Sequence, residues 1–206
     1  MPDPRSAADE GLVAIGGDLA PGTVLAAYRS GIFPWPDSRD RLLWWSPEPR
    51  AILPLDRFHE SRSLRRTRRR GVFRVTRDHA CEQVVRHCAE RPEGTWITPR
   101  MIAAYVELHH LGWVHSIEVW RGETLAGGLY GVTVGGVFAA ESMFHRVRDA
   151  SKVAVASLVE HLSDSGFALL DVQLQTDHLS SLGAVEIARD EYLDRVKRAL
   201  RISASF

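Results

Sequence analysis

The sequence predicts an α+β protein with a small loop-rich N-terminal domain, residues 1–58, and a larger domain, residues 59–206, built on a mixed, mostly antiparallel sheet. Three observations predict this class. Proline and glycine recur through the first part of the chain, where they interrupt regular structure. β-rich runs with two-residue links follow, which is typical of antiparallel strands. Helical and β-rich patterns then alternate, which adds a parallel crossover.

The N-terminal domain is predicted to hold one short helix among loops. Pro21 suits the first turn of that helix and Gly31 suits its end, because helices tolerate proline at their start and commonly stop at glycine. Apolar side chains such as Phe33, Trp35, Trp44 and Trp45 must hold the remaining loops. The domain is therefore expected to pack against a larger neighbour.

Two helices are predicted near the start of the larger domain. Asp78 is a candidate N-cap for a helix that runs to about Ala89. Thr98 followed by Pro99 predicts the start of a second helix, which should end at Gly112.

An antiparallel meander should follow these helices. The dipeptides RG at 121–122 and GG at 135–136 separate three β-rich runs and are suited to tight hairpins. The predicted strands cover residues 115–120, 123–134 and 137–140.

A helix, a strand and a last helix complete the pattern. Val155, Val159 and Leu162 repeat at helical spacing, and Gly166 ends that helix. The strand is expected over 167–174 and the last helix over 189–200. A helix between two strands of one sheet implies a right-handed crossover.

This order of elements is the one expected of an acetyltransferase-like fold, an inference by association alone. Acetyltransferases of that fold hold the pyrophosphate of coenzyme A on backbone amides of a glycine-rich loop at a helix N-terminus. The corresponding loop here reads FHRVRDASK and contains no glycine. The usual coenzyme A site is therefore expected to be absent, and no cofactor is expected.

The composition limits the possible partners of the protein and the compartment in which it works. The formal net charge is zero, with 26 basic and 26 acidic side chains, so a nucleic-acid partner would need a local basic patch. Cys81 and Cys88 are the two cysteines, which favours a reducing cytoplasm over a disulfide framework. No stretch reaches the roughly 18 apolar residues of a membrane span, and no export signal is visible. We expect a soluble cytoplasmic protein without a membrane partner.

Several familiar catalytic motifs are missing. The sequence contains no P-loop, no nucleophile elbow and no dinucleotide fingerprint, which argues against a kinase, a hydrolase or a dehydrogenase. His109, His110 and His115 lack the spacing of a zinc protease and have no cysteine nearby, so no metal site is expected.

A basic run with tryptophans on either side is a candidate nucleic-acid surface. The segment RSLRRTRRR contains Arg62, Arg65, Arg66, Arg68, Arg69 and Arg70. Such clusters bind phosphates, although a solvated helix face is the alternative. Trp44, Trp45 and Trp96 could stack on an unpaired base if their rings are exposed, or could simply belong to the core.

Three polar residues in an apolar setting are candidates for chemistry. Asp171 and Gln173 stand two apart on the predicted strand after the helix, so their side chains should share a face. Their hydrogen-bond partners could be structural or could be a reacting group. Glu141 follows the meander and could meet the ammonium group of a ligand, or could pair with Arg146 or Arg148.

The motifs IGGDL, GIFPW, WWSPEPR, GTWIT, HSIEVW, GGLYGV, ESMF, ASK and SLGA occur in this order between about residues 11 and 197. In the identity and order of these motifs, the chain resembles the bacterial leucyl/phenylalanyl-tRNA-protein transferases. The resemblance implies transfer of leucine or phenylalanine from leucyl-tRNA or phenylalanyl-tRNA to proteins with N-terminal arginine or lysine, which creates a degradation signal. It also implies a small N-terminal domain on an acetyltransferase-like domain, without coenzyme A. A monomer is expected.

The resemblance also implies roles for individual residues. Asp171 and Gln173 match the proposed catalytic centre, and Glu141 matches a residue near the aminoacyl group. The apolar pocket would be lined by Leu129, Met143 and Leu158. Trp44 or Trp45 together with Trp96 would hold the terminal adenosine, and the arginines from Arg62 to Arg70 would grip the acceptor stem. Thr176 stands where the family motif has asparagine, so the hydrogen bonds there must differ.

Two other functions stay open at this point. The strand order alone would also fit an acetyl-coenzyme A-dependent acetyltransferase, and the arginines and tryptophans would fit a non-enzymatic tRNA-binding module. Under the aminoacyl-transfer hypothesis, replacing Asp171 with alanine is expected to reduce transfer without unfolding the protein.

Overall fold

The structure is a computed structural model that describes residues 1–37, 39–92 and 94–206. Within these ranges the chain forms seven α-helices and ten β-strands. The helices are α1 (Pro21–Arg29), α2 (Arg62–Arg69), α3 (Cys81–Ala89), α4 (Pro99–His110), α5 (Ala150–Asp164), α6 (Asp177–Ser180) and α7 (Arg189–Ala199). The strands are β1 (Leu12–Ile15), β2 (Phe33–Pro34), β3 (Leu43–Trp45), β4 (Arg50–Ile52), β5 (Arg74–Arg77), β6 (Val114–Arg121), β7 (Thr124–Val134), β8 (Val137–His145), β9 (Leu169–Gln173) and β10 (Val185–Ile187).

The large sheet has seven strands in the order β10-β4-β9-β8-β7-β6-β5. Its neighbours pair antiparallel except β8 and β9, which are parallel and joined by α5. A second, three-stranded sheet has the order β1-β3-β2. The mixed, mostly antiparallel sheet confirms the predicted α+β class. Strand β4 precedes residue 58 and yet belongs to the large sheet; the division of the chain at residue 58 stays a prediction.

Apolar side chains fill both faces of the large sheet. Alternation along β7 sends Leu129 into one buried cluster and Tyr130 into the other. Leu158 of α5 belongs to the first cluster, and Tyr105 of α4 and Tyr192 of α7 belong to the second. The sheet is therefore covered by helices on both sides. Across the described ranges, no helix combines the length and apolarity that crossing a membrane requires.

The two predicted helix caps have different outcomes. Thr98 caps α4 as predicted, because its side chain accepts a hydrogen bond from the backbone N–H of Met101 at 3.4 Å. The prediction for Asp78 is wrong. Helix α3 begins three residues later, and the Asp78 carboxylate instead accepts from the backbone N–H of Ser116 at 2.8 Å and contacts the ring of His115 at 2.7 Å. Asp78 therefore binds donors on strand β6 instead of the first turn of α3.

The meander is longer than predicted. β8 extends beyond the predicted end at residue 140 to His145, because it stays paired with β7 over this length. Gly135 begins the turn between them with a φ of 56°. A Cβ there would approach the Cα of Leu200 to 2.8 Å, so only glycine fits this turn against the end of α7.

Candidate active site

The site lies where the two parallel strands separate. The last register pair of β8 and β9 joins Ala139 to Asp171. β8 then continues to His145 beside β7 alone, while β9 ends at Gln173. Glu141 and Gln173 therefore stand just beyond the point of separation, one on each side of the gap.

A cavity of about 520 Å³ opens at this gap. Glu141 and Gln173 line it, together with Trp35 and Trp96. Its apolar wall includes Leu53, Leu129, Met143, Val155, Leu158, Leu170 and Val172. The structure thus brings the four residues assigned to the aminoacyl pocket, Glu141 and the three apolar ones, into one cavity.

Glu141 is held by a chain of buried hydroxyl groups. The Tyr105 hydroxyl donates to Oε2 of Glu141 at 2.7 Å, and the Tyr28 hydroxyl lies 2.9 Å from that of Tyr105. The amide of Gln173 donates to Oε1 of Glu141 at 3.4 Å. Burial raises the pKa of Glu141 to about 7, although the tyrosine hydrogen bonds oppose the rise. The alternative pairing with Arg146 is not seen, because Arg146 binds Glu90 at 2.7 Å.

Asp171 lies behind the cavity and does not line it. Its side chain is fully buried, and Arg50 donates to both oxygens, from Nε at 2.9 Å and from Nη2 at 2.7 Å. The Tyr192 hydroxyl donates to Oδ2 at 2.9 Å, and the backbone N–H of Gln173 donates to Oδ1 at 3.0 Å. Four donors therefore occupy this carboxylate. It supports Gln173 from within the protein.

Gln173 has an uncommon backbone conformation. Its φ is 58°, in the left-handed region that non-glycine residues rarely adopt. The hydrogen bond from its N–H to Asp171 offsets part of that strain, and its side chain reaches the cavity. Strain of this kind tends to collect at functional sites. Of the two residues predicted from the sequence, Gln173 thus places a hydrogen-bond donor in the cavity. The buried carboxylate of Asp171 holds the backbone of Gln173.

The tryptophans that line the cavity are not all those assigned from the sequence. Trp44 is 2% exposed and donates to the carbonyl of Gly16 at 2.9 Å, so its ring belongs to the core and not to the cavity. Trp45 donates to the carbonyl of Trp35 at 3.1 Å and does not line the cavity. The rings of Trp35 and Trp96 stack there, with centroids 4.9 Å apart and planes inclined by 23°.

Sequence reasoning missed Trp35 as a functional residue. It stands between Pro34 and Pro36, directly after the two-residue strand β2. Trp35 is 36% exposed.

The arginine run forms α2 and its C-cap residue, Arg70. Five of the six arginines line a concave surface of about 380 Å³: Arg62, Arg65, Arg66, Arg69 and Arg70. Arg68 instead pairs with Glu60 at 2.8 Å and with Glu160 at 2.5 Å. Arg65 also contacts Glu60, at 3.1 Å. The run is therefore a helix with one concentrated cationic face, on which Arg65 also contacts Glu60, and with Arg68 held by two carboxylates. The described part of the chain holds no cluster of three His, Cys, Asp or Glu side chains suited to a metal ion.

Thr176 begins α6 beside the cavity. Its hydroxyl accepts a hydrogen bond from the backbone N–H of Leu179 at 3.2 Å.

Replacing Thr176 with alanine is expected to lower the free energy of unfolding by about 1 kcal/mol, because the helix loses its N-cap. Replacing it with asparagine, an equally good cap, is the matched control and should retain stability. Urea unfolding measures both, and equal midpoints for the alanine variant and the parent would contradict a capping role.

Comparison with known proteins gives a consistent result. The family model for the leucyl/phenylalanyl-tRNA protein transferase matches residues 52–197, and the model for the N-terminal domain of that transferase matches residues 17–48. A leucyl/phenylalanyl-tRNA–protein transferase from Anaeromyxobacter sp. (strain K) is 53% identical over 97% of this chain and 88% of its own. The same enzyme from Maridesulfovibrio salexigens is 52% identical over 97% of this chain and 85% of its own.

Solved structures with a similar course of the chain are more distant. L-PGS from Bacillus licheniformis aligns with a TM-score of 0.44 and 12% identity, over 73% of this chain and 56% of its own. A GCN5-related N-acetyltransferase from Kribbella flavida aligns with a TM-score of 0.42 and 11% identity, over 82% of this chain and 61% of its own. The family matches, which span most of the sequence, decide the assignment: this chain belongs to the leucyl/phenylalanyl-tRNA–protein transferase family of aminoacyltransferases.

Proposed function

We propose that this chain transfers leucine or phenylalanine from leucyl-tRNA or phenylalanyl-tRNA to the N-terminal arginine or lysine of proteins, and so marks them for degradation. The observation that carries the proposal is the cavity in which an apolar wall meets Glu141 and Gln173. Such a cavity suits an apolar amino acid whose reacting ester must lie among polar groups. We also propose that the enzyme works as a monomer in the cytoplasm, where aminoacyl-tRNA is made.

The reaction needs positioning more than activation. An aminoacyl ester is already reactive, and the amine nitrogen of the acceptor attacks its carbonyl carbon. The carbon–oxygen bond to the terminal ribose then breaks, so no covalent enzyme intermediate is required. Holding two reactants in a near-attack geometry can supply most of the acceleration in such a reaction.

The apolar wall is proposed to bind the amino-acid side chain. Leu129, Met143 and Leu158 present methyl and thioether groups there and offer no hydrogen bond. One methylene in such a pocket discriminates by only about 1–3 kcal/mol. Selectivity between leucine and phenylalanine should therefore be modest.

Polar contacts are proposed to bind the rest of the substrates. The amide oxygen of Gln173 would accept a hydrogen bond from the incoming amine, with Asp171 holding the backbone of Gln173 in place. Trp35 and Trp96 would stack on the terminal adenine. The cationic face of α2 would bind phosphates of the acceptor stem without reading its bases.

The proposal is tested by product formation. Purified protein is mixed with phenylalanyl-tRNA and a peptide that begins with arginine, and mass spectrometry should find the mass of one added phenylalanine. A peptide that begins with alanine is the matched control and should stay unmodified. Acetyl-coenzyme A in place of the tRNA should give no product. Acetylation, or no transfer although uncharged tRNA binds, would overturn the proposal.

A further inference from the structure

The cavity holds one carboxylate that the proposed roles leave unused. When an amine becomes an amide, its nitrogen must lose a proton, and the ribose oxygen that leaves must gain one. Gln173 cannot take that proton, because an amide is not a base at neutral pH. Asp171 is enclosed by four donors and lies outside the cavity. Among the described residues that line the cavity, Glu141 is the only carboxylate.

We infer that Glu141 accepts the proton of the attacking amine and returns it to the ribose oxygen that leaves. This inference rests on the proposed aminoacyl transfer. The nitrogen forms a bond to the ester carbon, the bond from that carbon to the ribose oxygen breaks, and the proton moves from nitrogen to Glu141 and then to that oxygen. Amine and ester become amide and alcohol, and Glu141 ends as it began.

The geometry prepares Glu141 for this role. Oε1 lies 3.4 Å from the side-chain nitrogen of Gln173, the residue proposed to bind the amine, so an amine held there is within reach of Glu141. Oε2 is anchored by the Tyr105 hydroxyl, which the Tyr28 hydroxyl supports in turn. The carboxylate is therefore anchored firmly through Oε2, while Oε1 accepts only the longer hydrogen bond from Gln173 at the cavity wall.

The tyrosines also set the charge of Glu141. Burial raises the pKa of Tyr105 well above its usual range, so this hydroxyl stays protonated and donates to Glu141. That donation favours the ionised carboxylate and opposes the effect of burial on its pKa, which is about 7. Below that pH Glu141 is protonated and cannot take the proton; above it Glu141 is ionised and can. A base with such a pKa suits proton transfer near neutral pH.

Other charged and titratable groups face Glu141 from several elements. Arg50 of β4 and Asp171 of β9 form the buried pair behind it. Hydroxyl groups come from tyrosines on four elements: Tyr28, Tyr105, Tyr130 and Tyr192. Arg91, His145 and His178 line the cavity itself. Burial lowers the pKa of His178 from its usual value, so the titration of His178 must be separated from that of Glu141.

The test is the pH dependence of single-turnover phenylalanine transfer, with the protein in saturating excess over phenylalanyl-tRNA, from about pH 5.5 to about pH 8.5. Two groups must lose a proton before reaction: Glu141 and the α-amine of the acceptor, whose usual pKa is about 7.7–8.0. Below both values, the logarithm of the rate should rise with pH with a slope of two. Glu141→Gln should give a slope of one and a plateau lower by about 10²–10⁴-fold.

Three further variants sharpen the result. Tyr105→Phe removes a hydrogen bond to the ionised form of Glu141, so the break near pH 7 should move to higher pH. His145→Asn and His178→Asn should each keep the slope of two. The inference is overturned if Glu141→Gln keeps the slope of two, or if either histidine variant reduces it to one. Failure of the proposed function is distinct, because the parent protein would then form no product at any pH.

Discussion

Replacing Asp171 with alanine is expected to lower the free energy of unfolding by about 3–5 kcal/mol and to abolish transfer. The change leaves Arg50, which is 1% exposed, as a buried guanidinium without its carboxylate. It also removes the acceptor for the N–H of Gln173, whose left-handed backbone depends on that bond. The sequence-based expectation of lost activity in a stably folded protein is therefore revised: activity and stability should fall together.

Urea unfolding, followed by far-UV circular dichroism, measures the loss of stability. Arg50→Met should cost about as much, because it leaves the opposite charge buried. The double variant Arg50→Met with Asp171→Leu should recover much of the stability, since neither charge remains, while transfer stays low because Gln173 is still unsupported. Arg195→Ala is the matched control. It breaks an exposed pair with Glu191 at 2.6 Å and should cost about 0.3–0.5 kcal/mol. Unchanged unfolding of the Asp171→Ala variant would contradict the role of the pair.

Replacing Trp35 or Trp96 with alanine is expected to weaken binding of the terminal adenosine by about 1–3 kcal/mol, roughly 5–150-fold in the dissociation constant. Both rings line the cavity, where they stack on each other. Because the rings also contact each other, the double variant should lose less than the sum of the two single changes.

Calorimetry with a non-hydrolysable phenylalanyl-adenosine analogue measures this binding. Trp120→Phe is the control, because Trp120 lies on β6, packs near Arg74 and does not line the cavity. It should bind the analogue as the parent does. If the Trp35 and Trp96 variants also bind as the parent does, adenine stacking on these rings is wrong.

Local signals in the sequence predicted much of the larger domain. Thr98 with Pro99 marks the start of α4, and the glycine links mark the hairpins, because caps and tight turns depend on a few neighbouring residues. β4 and β10 escaped prediction. Each has only three residues, too few to show alternation, and each exists because it pairs with a strand far away in sequence.

The same distinction applies to the site. Glu141, Leu129, Met143 and Leu158 could be assigned to one pocket through the family resemblance, and the structure brings them together. The partners of Asp171 could not be foreseen, because Arg50 lies 121 residues away along the chain. Trp44 is buried in the core, whereas Trp35 lines the cavity. This difference depends on tertiary packing, which the neighbouring sequence does not show.

The buried network around Asp171 has a consequence for the newly made protein. Arg50 is synthesised long before Asp171, but Tyr192 and strand β10, which covers β4, come after it. A nascent chain that has not yet released α7 from the ribosome lacks these contacts, and the strand with Gln173 is incompletely supported. The contacts that support Gln173 are therefore completed only after the last helix of the chain has been made.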